Sequence, residues 1–236
     1  QLSFYGGRTN AVEKRTRVRA RVISHALRDL ILNSDKVIIM GHRYPDMDSL
    51  GAAIGILKAA QFVGKDGYVV VESENPGIVS LMNELRTQEH LARWIVTPDQ
   101  ALAIATPNSL AVVVDVHRAS LVPEPRILQT ADRIVVVDHH RRGEDFIGDA
   151  TLIYMEPYAS STCELVTELL QYLDDRLTID PFEATVLLAG MVVDTKSFSF
   201  RTGARTFEAA SFLRRHGADT MKVQRLLQQD LETFNM

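Results

Sequence analysis

The sequence predicts an α/β protein with a doubly wound, mainly parallel sheet and flanking helices. Two observations carry that expectation. Short apolar runs rich in Val and Ile recur between Lys36 and His140, and continuous β-branched runs of this length suit strands buried on both faces of a parallel sheet. The segments between the runs carry apolar residues at helical spacing, and such alternation argues for a doubly wound sheet.

The elements follow in chain order. Residues 8–21 hold Arg8, Lys14, Arg15, Arg17, Arg19 and Arg21 against one acid, Glu13. Val18, Val22, Ile23, Ala26, Leu27, Leu30 and Ile31 recur at helical spacing, so a helix is expected from about 11 to 32, ending at Asn33. With no aromatic residues interleaved, its charge reads as a solvated helix face rather than a nucleic-acid arm. Strands are expected in KVIIMGH (36–42), GYVVVES (67–73), RWIVT (93–97), LAVVVDVH (110–117) and RIVVVDHH (133–140), with helices over about 49–63, 76–91 and 98–106. Beyond about residue 155 the pattern turns helical, at 160–173, 181–194, 204–216 and 219–234. Asp180-Pro181 is a helix start, with Asp as cap and Pro in the first turn. Gly217 is a stop. Cys163 reads as packed helix core and Trp94 as strand core.

Composition bounds the function. The 236 residues are 46% hydrophobic and 24% charged, which excludes a disordered or fibrous chain. Lys and Arg number 26 against 30 acids, a net charge of −4, so the chain as a whole is not a general polyanion binder. A single cysteine excludes an internal disulfide and a cysteine-built metal site. No run reaches the ~18 apolar residues of a membrane span, and no signal peptide opens the sequence. The first residue is Gln1 rather than Met, so a segment of a longer protein is expected.

Four places carry candidate chemistry. MGHRYPDMDSLGAA (40–53) sets His42, Asp46 and Asp48 between a strand and a helix, and ligands bind at the carboxyl ends of strands in an open parallel sheet. Asp48 or Ser49 is also a candidate helix cap. Asp115 ends the next apolar run, with His117 close by; a buried carboxylate must be paired or bind a cation. Asp138, His139 and His140 stand at the mouth of another strand. Neighbouring residues on a strand point to opposite faces, so both histidines reach one cavity only where the backbone turns, at Arg141-Arg142-Gly143. Asp194 ends an apolar helix with Lys196 as a possible partner, and Arg201 and Arg205 follow. These arginines are candidates for bidentate phosphate contacts. The start of a helix at Ser160-Ser161-Thr162 offers free N–H groups to an anion, or plain capping.

Taken together, His42, Asp46, Asp48, Asp115, His139 and Asp194 give four carboxylates and two imidazoles without a thiolate, a set suited to Mn²⁺ or Mg²⁺, with Fe²⁺ or Co²⁺ also compatible. Six ligands are too many for one ion that keeps open positions. They suit two ions about 3.5–4 Å apart bridged by one carboxylate, able to generate hydroxide and clamp a phosphoryl group.

H-x-x-P-D-x-D-S at 42–49, the strand-end Asp115, DHH at 138–140 and the late Asp194 resemble the four motifs of the DHH phosphoesterase superfamily. GHRYPDMDSLGAAIGI, FYGGRTNAVEKRTRVRARVISHAL, ASSTCELVTELLQY and SFSFRTGARTFEAASFLRRHGAD are similar to its branch of GdpP-type bacterial cyclic-di-AMP phosphodiesterases, over nearly the whole chain. The resemblance implies a Rossmann-like DHH domain that hydrolyses cyclic-di-AMP to linear 5′-pApA with two divalent ions, Mn²⁺ foremost. It implies that His42, Asp46 and Asp115 hold one ion, and that Asp48, Asp115, His139 and Asp194 hold the other, with Asp115 bridging. His140 would contact the scissile phosphate or move a proton, and Asp138 would orient a histidine. Arg201, Arg205 and Ser161 are the candidate substrate contacts. The implied organisation is a linker-helix region at 1–33 and a catalytic domain at 34–236. The latter would lead to a DHH-associated domain whose Gly-Gly-Gly-His motif does not occur in this sequence. The implied setting is the cytoplasmic side of a cell-membrane protein, anchored by upstream segments and homodimeric, with a cyclic dinucleotide and no DNA as partner. The alternatives are a RecJ-like nuclease, an oligoribonuclease, a manganese pyrophosphatase, or a non-enzymatic nucleotide sensor. No chain-wide basic surplus favours the exonuclease, and no G-x-G-x-x-G follows the first strand to favour the sensor.

Overall fold

The computed structural model describes residues 5–72 and 75–234, with side chains described within 16–72 and 75–228. Six parallel strands, β1 (Val37–Met40), β2 (Gly67–Val70), β3 (Ile95–Val96), β4 (Leu110–Val114), β5 (Arg133–Asp138) and β6 (Leu152–Met155), form one sheet in the order β3-β2-β1-β4-β5-β6. The order reverses between β1 and β4, so the switch point, where such sheets bind ligands, lies between those two strands. The doubly wound class read from the sequence is the one observed.

The period-2 alternation of strand side chains divides the core into two layers. Ile39, Val112, Val114, Val135 and Val137 face one way, against α1 (Tyr5–Leu32), α2 (Met47–Phe62), α7 (Thr162–Leu173) and α8 (Pro181–Asp194). Ile38, Met40, Ala111, Val113 and Val136 face the other way, toward α5 (Pro98–Ile104) and α6 (Pro125–Thr130). The remaining helices are α3 (Val79–Arg86), α4 (Glu89–Ala92), α9 (Ala204–Arg215) and α10 (Thr220–Phe234). Ala20, Leu27 and Ile31 of α1 are buried in the first layer, and Ser24 Oγ donates to the Leu169 carbonyl of α7 at 2.6 Å. Arg8, Lys14 and Arg15 lie outside the described side chains.

Several expectations meet different outcomes. The helix expected over 76–91 is two, α3 and α4, because Gln88 leaves the helical path between them, at φ −94° and ψ 87°. β6 is a strand the sequence pattern did not single out. The cap of α2 is Asp46, two residues before Asp48 and three before Ser49: its carboxylate accepts from Ser49 N at 2.8 Å. Asp180 caps α8 in a reciprocal box with Glu183, with Pro181 in the first turn, and Gly217 ends α9 with φ +91°, a conformation glycine adopts without strain. Cys163 is fully buried and Trp94 half-buried.

Candidate metal centre

The register of the sheet assembles the site. Met40 of β1 lies beside Val113 of β4, and Val114 beside Val137 of β5. His42 and Asp115, just past those positions, therefore leave the sheet along the edge at which Asp138 ends β5 beside Met155 of β6. Asp115 takes φ +61°, a left-handed turn costly for most residues but tolerated by Asp. Its N–H still donates to Val137 O at 2.9 Å. The chain thus turns at once while the carboxylate stays at the strand mouth.

The helical layer supplies the rest. Asp48 in the first turn of α2 is fully buried, and its two oxygens accept from the N–H groups of Thr162 and Cys163 at 2.8 Å each. These are free donors of the first turn of α7, a natural seat for a carboxylate. Thr162 Oγ1 donates to Asp115 Oδ1 at 2.9 Å. Asp194 arrives at the C-terminal end of α8. Both histidines after Asp138 turn into the same space, their ring centroids 4.4 Å apart.

The distances sort the six candidates into two adjacent groups. His42 Nε2 is 3.2 Å from Asp115 Oδ2, and donor atoms of His42, Asp46 and Asp115 all lie within 4.8 Å of one another. His139 Nε2 is 3.2 Å from Asp194 Oδ2, 3.5 Å from Asp115 Oδ1 and 3.6 Å from Asp48 Oδ2. Asp48, His139 and Asp194 form a second trio at the same spacing. Asp115 faces both trios, one oxygen to each. Asp138 stands behind them, with Oδ1 2.7 Å from His140 Nδ1 and Oδ2 2.6 Å from His117 Nδ1.

Electrostatics follows from this crowding. Burial pushes the Asp48 carboxyl well above its ordinary value, and Asp115 and Asp194 beside it push the same way. Burial also raises Asp115 strongly, assisted by Asp46. Burial alone would raise Asp138, but hydrogen bonds from His140 and His117 outweigh it and hold its carboxyl below the ordinary value. His140 is raised, chiefly by its bond to Asp138. Among the described residues, His42 Nε2 and both ring nitrogens of His139 are buried without a hydrogen-bond partner. Crowded buried carboxylates facing imidazole nitrogens that make no hydrogen bond form a donor set that a divalent cation would satisfy, so the residues present fit the ions the sequence implies.

Three other candidates are placed differently. Ser161 is fully buried, and its Oγ caps α7 by accepting from Glu164 N at 3.0 Å; the next two N–H groups go to Asp48, so the anion held at this helix start is the chain's own carboxylate. Arg205 pairs with Glu168 at 2.5 Å and donates to Tyr154 Oη at 3.3 Å. Arg201 is exposed, with its guanidinium 5.5 Å from the Phe200 ring centroid. Asp194 lies against His139 rather than Lys196, whose ammonium lies over the Phe200 ring. No local pattern marks Thr162 as a partner of Asp115, and His117 stands out in the sequence only as a neighbour of that residue.

A doubly wound parallel sheet whose switch point carries a carboxylate–imidazole cluster is a Rossmann-like domain built around a candidate metal centre. The chain belongs to the DHH family: the model of the DHH family, N-terminal domain, matches residues 36–191. It is 59% identical over 236 residues to the cyclic-di-AMP phosphodiesterase GdpP of Geobacillus thermodenitrificans (strain NG80-2), covering 99% of this chain and 36% of that protein. It is 56% identical to the protein of the same name from Bacillus subtilis (strain 168), with the same coverage. The chain thus spans about a third of the length of these relatives. Among solved structures, an exopolyphosphatase-related protein from Bacteroides fragilis shares the fold with a TM-score of 0.72 at 19% identity, over 87% of this chain and 60% of that one.

Proposed function

We propose that this chain is the catalytic part of a cyclic-di-AMP phosphodiesterase, opening the ring to linear 5′-pApA with the help of two divalent cations, Mn²⁺ foremost. The observation that carries the reading is the pair of adjacent trios, His42–Asp46–Asp115 and Asp48–His139–Asp194, with Asp115 facing both. The identity to named cyclic-di-AMP phosphodiesterases supports the substrate.

His42, Asp46 and Asp115 would hold one ion, and Asp48, Asp115, His139 and Asp194 the other. Bound there, the ions would supply hydroxide near neutral pH and neutralise charge on the phosphoryl group. Hydrolysis adds the hydroxide oxygen to phosphorus and breaks the bond to the 3′-oxygen, which leaves with a proton. His140 is set for that proton. Its Nδ1 is engaged by Asp138, its ring is half exposed, and Nε2 is the nitrogen left to serve the phosphate or the leaving oxygen. Arg201, exposed beyond Asp194, would meet phosphate oxygens. Residues 1–33 act as a lead-in and 34–236 as the catalytic unit, in a homodimer at the cytoplasmic face of a membrane, with a cyclic dinucleotide rather than DNA as partner.

The test counts Mn²⁺ retained after dialysis by the wild-type protein and by Asp115→Ala, and compares turnover of cyclic-di-AMP, pyrophosphate and single-stranded DNA. The reading expects two ions in wild type, a loss of tight binding in the variant, and cyclic-di-AMP as the preferred substrate. Two tightly held ions in the variant sink the bridging role, and faster cleavage of pyrophosphate or DNA sinks the substrate.

A further inference from the structure

We infer that His117 is a positioning residue for the proposed reaction, holding Asp138, and through it His140, together with the loop that follows. The inference rests on the phosphodiesterase reading for its chemistry, but its geometry stands independently.

His117 follows the left-handed turn at Asp115 and is 7% exposed. It grips the end of β5 and the segment after it at three points. Nδ1 lies 2.6 Å from Asp138 Oδ2. Gly143 N–H donates to Nε2 at 3.2 Å. Ile147 N–H donates to the His117 carbonyl at 2.8 Å.

The second contact decides the first. A backbone N–H can only donate, so Nε2 must present a lone pair and the ring proton of a neutral imidazole sits on Nδ1, directed at Asp138. Asp138 therefore receives a hydrogen bond on each oxygen. His117 occupies Oδ2, while Oδ1 accepts from His140 N at 3.1 Å and lies 2.7 Å from His140 Nδ1. With one oxygen pinned from behind, the other is fixed in direction, and with it the plane of the His140 ring.

The same residue closes the loop. Segment 139–147 carries His139 and His140 and is tied to His117 at Gly143 and Ile147. The Arg118 guanidinium lies over Gly143, at 2.8 Å from where a side chain would begin, so the strand mouth of β4 covers the loop from both neighbouring residues. Supporting partners of this kind typically cost 10–100-fold when removed from a metal site.

Three substitutions separate positioning from packing. His117→Phe keeps the ring volume and removes both ring hydrogen bonds. His117→Ala removes volume and bonds. His117→Asn restores a donor near the Nδ1 position and no acceptor for Gly143. The readouts are kcat and KM on cyclic-di-AMP and bis-p-nitrophenyl phosphate with MnCl₂, retained Mn²⁺, and amide exchange of metal-free protein at His140 and Gly143. Phe and Ala should lower kcat by about 10–100-fold with little change in KM or bound Mn²⁺, and should speed exchange at both amides. Asn should recover most of kcat, protecting His140 but not Gly143. The inference is overturned if His117→Phe keeps wild-type kcat and exchange. It is equally overturned if Asn recovers neither kcat nor protection at His140. Wild-type protein inactive on both substrates would instead overturn the hydrolase reading and the catalytic part of this one, leaving exchange at the two amides to decide the tether.

Discussion

Replacing Gly190 with Ala tests whether helix packing positions the proposed metal centre. Gly190 lies in α8 where that helix crosses α2. A Cβ built there would sit 2.5 Å from Cys163 Sγ and 2.9 Å from both Asp48 Cα and Met47 O. Two of these obstacles are backbone and cannot rotate away, so the helices must part by about 0.5–1 Å in an interior packed at crystal density. Overpacking of this kind costs up to about 3 kcal/mol, and the better helix propensity of Ala returns about 1 kcal/mol. The net loss is about 2 kcal/mol, or about 4–8 °C in Tm for a chain of this length. Thermal melting of metal-free protein reads the loss directly. The rise in Tm on adding MnCl₂ should also shrink, because the displaced atom is the Cα of a proposed ligand. Adding Cys163→Ala removes one of the three obstacles and should restore part of the loss, a coupling expected of residues in contact. A Gly190→Ala protein that melts at or above wild type would refute the claim that close helix approach is what seats Asp48.

Two further predictions concern charge. Burial, with Asp180 beside it, raises the Glu183 carboxyl from its ordinary 4.5 to about 7, so the folded state holds a proton that the unfolded state has lost. Stability from this group is full below pH 4.5 and falls as pH rises to about 7, by about 3 kcal/mol at about 1.4 kcal/mol per pH unit. Glu183→Gln keeps the capping box and should flatten that fall in urea titrations across pH, whereas parallel curves would contradict it. Asp115→Asn removes a buried, crowded charge and places Asn at a φ it tolerates well. The variant should gain about 1 kcal/mol or more without metal. It should then lose the stabilisation of about 2.7 kcal/mol that the proposed site would give wild type at 100-fold excess of Mn²⁺ over Kd. Melting curves with and without MnCl₂ that fail to change order would count against the site.

The strand-end acids were legible because burial makes them conspicuous: a carboxylate closing LAVVVD or RIVVVD has few places to go in a parallel sheet. The alternation that marks those strands also fixes their common edge. Contacts between distant residues were not legible. Asp48 meets Thr162 and Cys163 across more than a hundred residues, and no local pattern announces that a helix start is reserved for a carboxylate of the same chain. Arg205 and Glu168 are likewise paired by the docking of α9 on α7. β6 escaped notice because Leu152-Ile153-Tyr154-Met155 is short and holds a single β-branched residue, unlike the Val- and Ile-rich inner strands. The cap at Asp46 shows a different limit: Asp46, Asp48 and Ser49 all suit a helix start, and only the backbone path chooses among them.

That first turn of α7 couples the two halves of the site. Thr162 N and Cys163 N hold Asp48, which belongs to one trio, while Thr162 Oγ1 holds Asp115, which faces both. A shift of α7 therefore moves a carboxylate in each proposed ion site at once. α7 is itself set by α2 and α8, where Cys163 packs against Gly51 and Gly190. The small residues in these helices are thus tied to the chemistry at the sheet edge: they bring the N-terminus of α7 close enough to carry part of the cost of burying Asp48. The remaining cost, seen in the raised carboxyls of Asp48 and Asp115, is what a pair of cations would offset. Metal binding should therefore tighten the α2–α7–α8 layer rather than the loops alone, which is why the same Mn²⁺-dependent rise in Tm reads out both Gly190→Ala and Asp115→Asn.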